Sequence, residues 1–317
     1  MLGACSYRYL GDQELQQEGN KRFLQDQMRL WLSQYSESSF IAFEKDCALG
    51  LVICGKSHWD SEHFGFSVGN ILHLTGSEKG GTKALNTRKC LLEAATAWAQ
   101  AHEIRFLFSR ADGDDLTNIH ALQDHGFHFV EDILYFKYDL TSPTNLKGAE
   151  LKVRLSQNKD LDSLRAIAGN TFTHSRFHRD PHIDKEKAAR LYEKWIEASL
   201  EKEPNSVLVA EGEGKVLGFI ICETKDLEDY FGKRILVLRL IGVSKDQKGR
   251  GIGSGLYLGA LNFFRNQTEI AYASSASVNI PSVKLLLKLG FKVVSSSLTF
   301  HKWFEMEGSG RHETAEF

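Results

Sequence analysis

The chain has 317 residues, 42% of them hydrophobic and 25% charged, with a formal net charge of -2. That composition belongs to a globular protein with room for two domains, and it excludes a global positive field that would draw the chain to nucleic acid or anionic lipid. No apolar run reaches the roughly 18 residues of a membrane-spanning helix, and Met1 to Asp12 lacks the charged and apolar regions of a signal peptide.

In the first half, a helix is predicted from Ala84 to His102 and a strand from Ile104 to Ser109. A helical segment, Asn118 to His125, ends at Gly126-Phe127 and leads into a strand, Phe129 to Leu140. The polar, proline-containing stretch Leu140 to Glu150 reads as a linker. The second half opens with a strand, Leu151 to Leu155, and a helix, Asp160 to Asn170. A loop follows, carrying Thr173-His-Ser-Arg-Phe-His-Arg-Asp180. An amphipathic helix from Lys185 to Leu200 places Leu191, Trp195 and Leu200 on one face. Val207 to Ala210 and Val216 to Cys222 read as antiparallel strands turning at Gly212 to Gly214. Ile235 to Val243 is a third, strongly apolar strand. A Gly-rich turn then opens a helix, Ile252 to Arg265. Strand Ile270 to Ser274, helix Pro281 to Leu289 and strand Lys292 to Trp303 complete the half. Residues 305–317 are polar and aperiodic and read as a mobile tail.

Gly126-Phe127 aligns with Gly290-Phe291, and the helix, turn and strand around each pair follow in the same order. Two copies of one α/β fold are the economical account. The first copy has only Gly80-Gly81-Thr82 where the second has its Gly-rich turn. The expected organisation is therefore a degenerate, truncated N-terminal copy over 1–140, a functional domain over 151–304 and the tail.

The turn itself reads Lys248-Gly249-Arg250-Gly251-Ile252-Gly253, with Ser254 next, between a strand and a helix. Glycines at such a turn let successive N–H groups converge on an anion, and the helix N-terminus adds partial positive charge. Lys248 and Arg250 add full charges, so a pyrophosphate is the natural occupant. The Walker pattern is absent. The dinucleotide pattern fails too, because its third glycine would fall on Ser254 or Leu256.

From here the sequence resembles a known family. Val243, Lys248 and then Gly251-Ile252-Gly253 are similar to the acetyl-CoA signature of the GNAT N-acetyltransferases, [QR]-x-x-G-x-[GA], with Lys248 in the place of Gln or Arg. Asn279-Ile-Pro-Ser-Val-Lys-Leu-Leu-Leu-Lys-Leu-Gly290-Phe291 resembles that family's second segment, N-x-x-A-x-x-L-Y-x-x-x-G-F. The resemblance covers residues 150 to 303. It implies the GNAT fold, a mixed central sheet flanked by helices, and acetyl-CoA as co-substrate. A narrower resemblance is carried by Trp59-Asp60-Ser61, Phe64-Gly65, Ser175-Arg176-Phe177 and Tyr192 with Trp195. It points to acetyltransferases of dTDP-linked amino sugars and implies a nucleotide-linked amino sugar as acceptor.

Acetyl transfer from a thioester to an amine needs the two groups held together, a donor for the carbonyl oxygen, and routes for the proton of the amine and to the thiolate. The resemblance assigns the first two to the backbone of Ile241, Gly242 and Val243. Asn279 is expected to touch the cofactor arm, and it also reads as an N-cap. Glu223 and Asp226, just past the Val216 to Cys222 strand, are the candidate bases. Many family members carry a Tyr seven residues after the motif Asn, where this chain has Leu286. The expectation is an active enzyme that uses another donor or none; Tyr272 is the nearest candidate in sequence, with a core position as the alternative, and Tyr257 reads as packing. Arg176, Phe177 and Arg179 are expected to line the acceptor pocket, with Arg176 near the substrate diphosphate.

His174, His178 and His182 recur every four residues, but Pro181 interrupts the helix they would need and no H-E-x-x-H occurs, so no metal is expected. The five cysteines never fall in a C-x-x-C spacing, which reads as free thiols in a reducing compartment and hence the cytoplasm. The expected partners are a small-molecule acceptor and, among assemblies, a homodimer, with no nucleic acid and no membrane. Two other functions compete: acetylation of a protein or peptide amine, and a non-catalytic acetyl-CoA-binding module.

Overall fold

The computed structural model describes residues 18–78, 80–141, 151–203 and 206–305. The expected tail and most of the expected linker lie outside the described residues. In chain order the elements are α1 (Glu18–Gln34), β1 (Ser39–Glu44), β2 (Cys47–Lys56), α2 (His58–Phe64), β3 (Val68–Gly76), α3 (Gly81–Ala101), β4 (Phe106–Asp112), α4 (Leu116–Asp124) and β5 (His128–Asp139). Then come β6 (Lys152–Leu155), α5 (Leu161–Thr171), α6 (Arg176–Arg179), α7 (Lys185–Lys202), β7 (Val207–Gly212), β8 (Lys215–Leu227) and α8 (Glu228–Phe231). The chain closes with β9 (Lys233–Val243), α9 (Ile252–Phe264), β10 (Ile270–Ala276), α10 (Ile280–Lys288) and β11 (Lys292–Trp303).

Among the described residues the chain divides into two compact units, one of 25–130 with 297–305, the other of 18–24 with 131–296. The first unit carries the strand order β1-β2-β3-β4-β11. β1, β2 and β3 pair antiparallel, β3 and β4 parallel, and β4 and β11 antiparallel. Its core gathers Val52, Leu91, Leu92, Leu107, Phe127 and Phe300. On α3, buried Ala84, Leu91, Leu92, Ala95 and Ala99 recur at helical spacing, which is why this stretch is a helix with one face on the sheet.

The second unit repeats that pattern in β7-β8-β9-β10-β5, antiparallel, antiparallel, parallel and antiparallel, with β6 added beyond β7. Its main core packs Leu208, Ile220, Leu236, Leu238, Leu256 and Leu286 beneath α9 and α10.

The internal repeat is visible in hydrogen bonds. Asp115 caps α4 by accepting from the Asn118 N–H at 2.9 Å, and Asn279 caps α10 by accepting from the Ser282 N–H at 3.4 Å. Phe127 N–H donates to the Leu122 carbonyl at 3.0 Å, and Phe291 N–H to the Leu286 carbonyl at 3.0 Å. The residue before each phenylalanine turns left-handed, Gly126 at φ 75° and Gly290 at φ 91°, which only glycine does without strain.

The units differ from the linear division into 1–140 and 151–304 in two respects: residues 18–24 group with the second unit, and the final strands are exchanged. The last strand of the first copy, β5, pairs over Ile133 to Asp139 with β10 of the second. The last strand of the second copy, β11, pairs over Ser297 to Trp303 with β4 of the first. Each copy thus completes its sheet with the other's final strand. Hydrophobic patterning sets which face of a strand is buried, not whose edge it joins, so the exchange could not be read from the sequence.

Candidate active site

The site begins with a misfit between three strands of the second unit. β9 pairs with β8 continuously except at one point: Ile221 lies opposite Leu240 and Cys222 opposite Leu238, so Arg239 is an extra residue. This β-bulge shifts the alternation of side chains. Leu236 and Leu238 face the α9 core, and so do Ile241 and Val243 beyond the bulge. On its other side, β9 pairs in parallel with β10 only from Ile235–Ile270 to Leu238–Ala273. β10 runs on to Ala276 against β5. From Arg239 to Val243, then, the edge of β9 toward β10 leaves the ladder, while its other edge stays paired with β8. Gly242 is required by close approach, since a Cβ there would lie 2.6 Å from the Phe219 ring.

The turn after β9 ends on Gly251, which adopts φ 82° and ψ 1° as the residue before α9 and offers no side-chain cap. Gly249 is left-handed as well, at φ 79°. A Cβ on either glycine would meet nothing within 4 Å, so the space over the turn is open. Lys245, Lys248, Gly249, Arg250 and Gly251 are exposed, Gly253 and Ser254 half-buried, and Ile252 is buried beneath α9. No acidic residue occupies the first turn of α9. The one carboxylate of the turn, Asp246, is held below the usual carboxylate range by hydrogen bonds from Ser244 and Gln247. N–H donors, a helix start and cations on one open surface suit a diphosphate.

On the other face of the sheet, the loop between α5 and α6 starts beside β9 and ends on β5. Thr171 Oγ1 donates to the Ile167 carbonyl at 2.6 Å and lies 3.4 Å from the Val243 carbonyl, at the end of β9. The Arg176 N–H donates to Glu131 Oε2 at 3.0 Å, two residues before Ile133, which pairs with Ala276 at the end of β10. Residues 172–175 therefore cross the mouth of the β9–β10 gap. His178 Nδ1 shares a 2.9 Å hydrogen bond with Ser175 Oγ, and its ring stacks on Tyr192. Burial first, then Lys185 and His174, holds His178 below the ordinary imidazole value.

The expected site residues fall into groups. Ile241, Gly242, Val243 and the Lys248 to Ser254 turn come together around the splayed strand and the start of α9. Asn279 lies at the head of α10 as its N-cap, so its side-chain oxygen already accepts a bond. Arg176 is buried, its guanidinium carbon 4.2 Å from the centre of the buried Phe177 ring, whereas Arg179 is exposed.

Glu223 and Asp226 stand inside β8 rather than after it, opposite Val237 and Arg234. The polar run Glu223 to Asp226 continues the strand beyond Cys222, held in the ladder by its cross-strand partners. Arg239 Nε donates to Glu223 Oε2 at 2.6 Å, and Lys225 Nζ lies 3.3 Å from Oε1. Both oxygens of the Glu223 carboxylate thus face cations. The Tyr272 ring is buried with Phe23, Leu227, Ile235 and Val237, on the face opposite Ala271 and Ala273. Leu286 is fully buried in the α9–α10 core. Tyr257 is buried there too, its hydroxyl beside Ser282 and pushed up by burial. Cys222, at the bulge, is buried and its thiol is likewise pushed up, so it is no thiolate nucleophile. Cys47, Cys54, Cys90 and Cys222 are free thiols. Among the described residues no cluster of His, Cys, Asp or Glu could hold a metal ion, and no helix is long and apolar enough to cross a membrane.

Sequence reading missed Arg239, Glu131 and Thr171. Arg239 carried a signal, as a lone charge inside the apolar strand from Ile235 to Val243. Glu131 and Thr171 carried none.

A parallel pair that separates at a bulge, followed by a Gly-rich turn into a helix, is the GNAT arrangement. The model of the acetyltransferase (GNAT) family matches residues 164–291. The chain accordingly has the GNAT fold in its C-terminal half, preceded by a GNAT-like region, and is an enzyme. It is 24% identical over 302 residues to the spore coat polysaccharide biosynthesis protein SpsD of Bacillus subtilis (strain 168), covering 93% of this chain and 98% of that protein. Among solved structures, a GCN5-related N-acetyltransferase from Sphaerobacter thermophilus aligns with a TM-score of 0.58 at 15% identity, over 84% of this chain and 80% of that one. A tandem GNAT protein from the clavulanic acid biosynthesis pathway aligns with a TM-score of 0.53 at 11% identity, over 84% and 82%. At such identities the two structures share the fold and no more.

Proposed function

We propose that the protein is a cytoplasmic, acetyl-CoA-dependent N-acetyltransferase acting on the amine of a nucleotide-linked amino sugar. The observation that carries the reading is the departure of β9 from β10 at Arg239, leading directly into the open turn at Gly249 and Gly251. That edge can hydrogen-bond an extended pantetheine arm, and the turn suits its diphosphate. Acetyl-CoA would supply the activated acetyl group. The acceptor nitrogen would attack the thioester carbonyl carbon, a main-chain N–H of the Arg239 to Val243 edge would face the oxyanion, and breaking of the C–S bond would release coenzyme A as a thiolate that takes up the proton the nitrogen sheds, directly or through water. The buried thiol of Cys222 favours this direct attack over an acyl-cysteine route.

The choice of acceptor is supported by the name of the relative that matches nearly the whole chain, a polysaccharide biosynthesis protein, and by the basic α6 that follows the α5–α6 loop. Arg179, exposed at the end of α6, is the arginine placed for a substrate diphosphate, while buried Arg176 shapes the segment. A dTDP-linked 4-amino-4,6-dideoxy sugar such as dTDP-fucosamine is the first acceptor to test. A thiol-release assay across free amino sugars, nucleotide-linked amino sugars and peptides decides the matter. Fastest turnover of the nucleotide-linked class is expected, and faster turnover of peptides would reverse the assignment.

A further inference from the structure

Three features meet at Arg239. It is the extra residue in the β8–β9 register. It is the first residue of β9 beyond the pairing with β10. Its side chain is only 9% exposed, yet it carries a full charge in the otherwise apolar run from Ile235 to Val243. Both Nε and Nη2 donate to Oε2 of Glu223, and the other carboxylate oxygen faces Lys225. Burial pulls the Lys225 amine below its usual value while Glu223 opposes the shift. A guanidinium at this depth needs its carboxylate, because removing one member of a buried pair leaves the other uncompensated. The pair also fixes the register. Ironing out the bulge beyond Arg239 would turn Ile241 and Val243 away from the α9 core, and taking up the shift before it would carry Arg239 into that core.

We infer that the Arg239–Glu223 pair is a positioning element of the transfer site: it holds the extra residue in β9 and so keeps the main-chain edge from Arg239 to Val243 turned toward the gap where the acetyl-thioester would lie. The inference rests on reading that edge as the acetyl-CoA site. Glu223 acts on the reaction through the shape of the strand and not by taking a proton.

The experiment is a charge-swap cycle in the full chain: Glu223→Gln, Arg239→Met, Arg239→Lys, and Glu223→Arg combined with Arg239→Glu. Each variant is assayed for kcat and for the acetyl-CoA KM, and amide hydrogen exchange is followed along β9. Glu223→Gln and Arg239→Met are expected to lower kcat/KM for acetyl-CoA by roughly 10²-fold, the order of cost for a small misplacement of reacting groups, and to speed exchange at 239–243 while β7 stays protected. Arg239→Lys is expected to fall between Arg239→Met and the wild type, and the swapped pair to recover most of the loss. Wild-type kinetics and exchange in Glu223→Gln would overturn the inference. So would a kcat loss that the swap does not recover, accompanied by disappearance of an acidic limb from the pH profile, which would make Glu223 a base. If the wild type neither binds nor turns over acetyl-CoA, the functional reading fails by itself, and the exchange data still decide whether the pair holds the bulge.

Discussion

The main-chain N–H of Arg176 donates to Oε2 of Glu131 at 3.0 Å, joining residues 45 apart in sequence. Glu131 is 4% exposed and Arg176 is 5% exposed, so the bond is shielded from water. It anchors the α6 end of the loop that crosses the β9–β10 gap. Glu131→Ala should loosen that anchor and raise the acceptor KM about tenfold, with the acetyl-CoA KM unchanged. Glu131→Gln keeps an acceptor oxygen and should lie nearer the wild type. Steady-state kinetics with each substrate varied in turn checks both, and equal effects on the two KM values would remove the loop from the acceptor side.

Gly251 has φ 82° and open space around its Cα. Gly251→Ala should fold with a penalty of about 1 kcal/mol from the left-handed backbone alone, visible as a small drop in Tm. Gly251→Asp adds a negative charge where the diphosphate is expected and should abolish acetyl-CoA binding by calorimetry. Unchanged affinity in Gly251→Asp would dismiss the turn as the anion site.

His178 is half-buried and its imidazole is held below the ordinary value, with burial the largest cause and Lys185 and His174 adding to it. The folded state thus takes up the proton later than the unfolded chain as pH falls. Stability is unaffected above the ordinary histidine value, about 6.5, and declines as pH drops from there toward the lower folded value. His178→Gln should flatten that part of the curve of Tm against pH between 7 and 5. An identical slope in wild type and variant would show that His178 does not contribute.

Tyr272 sits in an apolar cluster with Phe23, Leu227 and Val237. Tyr272→Phe should leave kcat within about threefold of wild type and cost on the order of 1 kcal/mol of stability for the lost hydroxyl. A kcat drop of ten-fold or more at unchanged acetyl-CoA affinity would restore Tyr272 as the proton donor to the leaving thiolate.

The sequence by itself determined most elements of the second half, though it stopped β8 at Cys222 instead of Leu227 and did not register the short helices α6 and α8. It also gave the repeat marked by Gly126-Phe127 and Gly290-Phe291, and the turn from Lys248 to Gly253. These are local matters. Side-chain periodicity, a cap and a positive-φ glycine act within a few residues, so the chain records them directly. Tertiary structure alone decided the rest. Glu223 has the sequence context of a solvated strand end, and only the cross-strand approach of Arg239 turns it into half of an ion pair. Tyr272 and Leu286 were placed by which sheet face each reached. The exchange of β5 and β11 depends on which edge each strand joined, a choice between hydrogen-bond ladders that any alternating apolar strand could satisfy. Contacts such as Arg176 with Glu131 join residues far apart in the chain, and no spacing within the sequence specifies them.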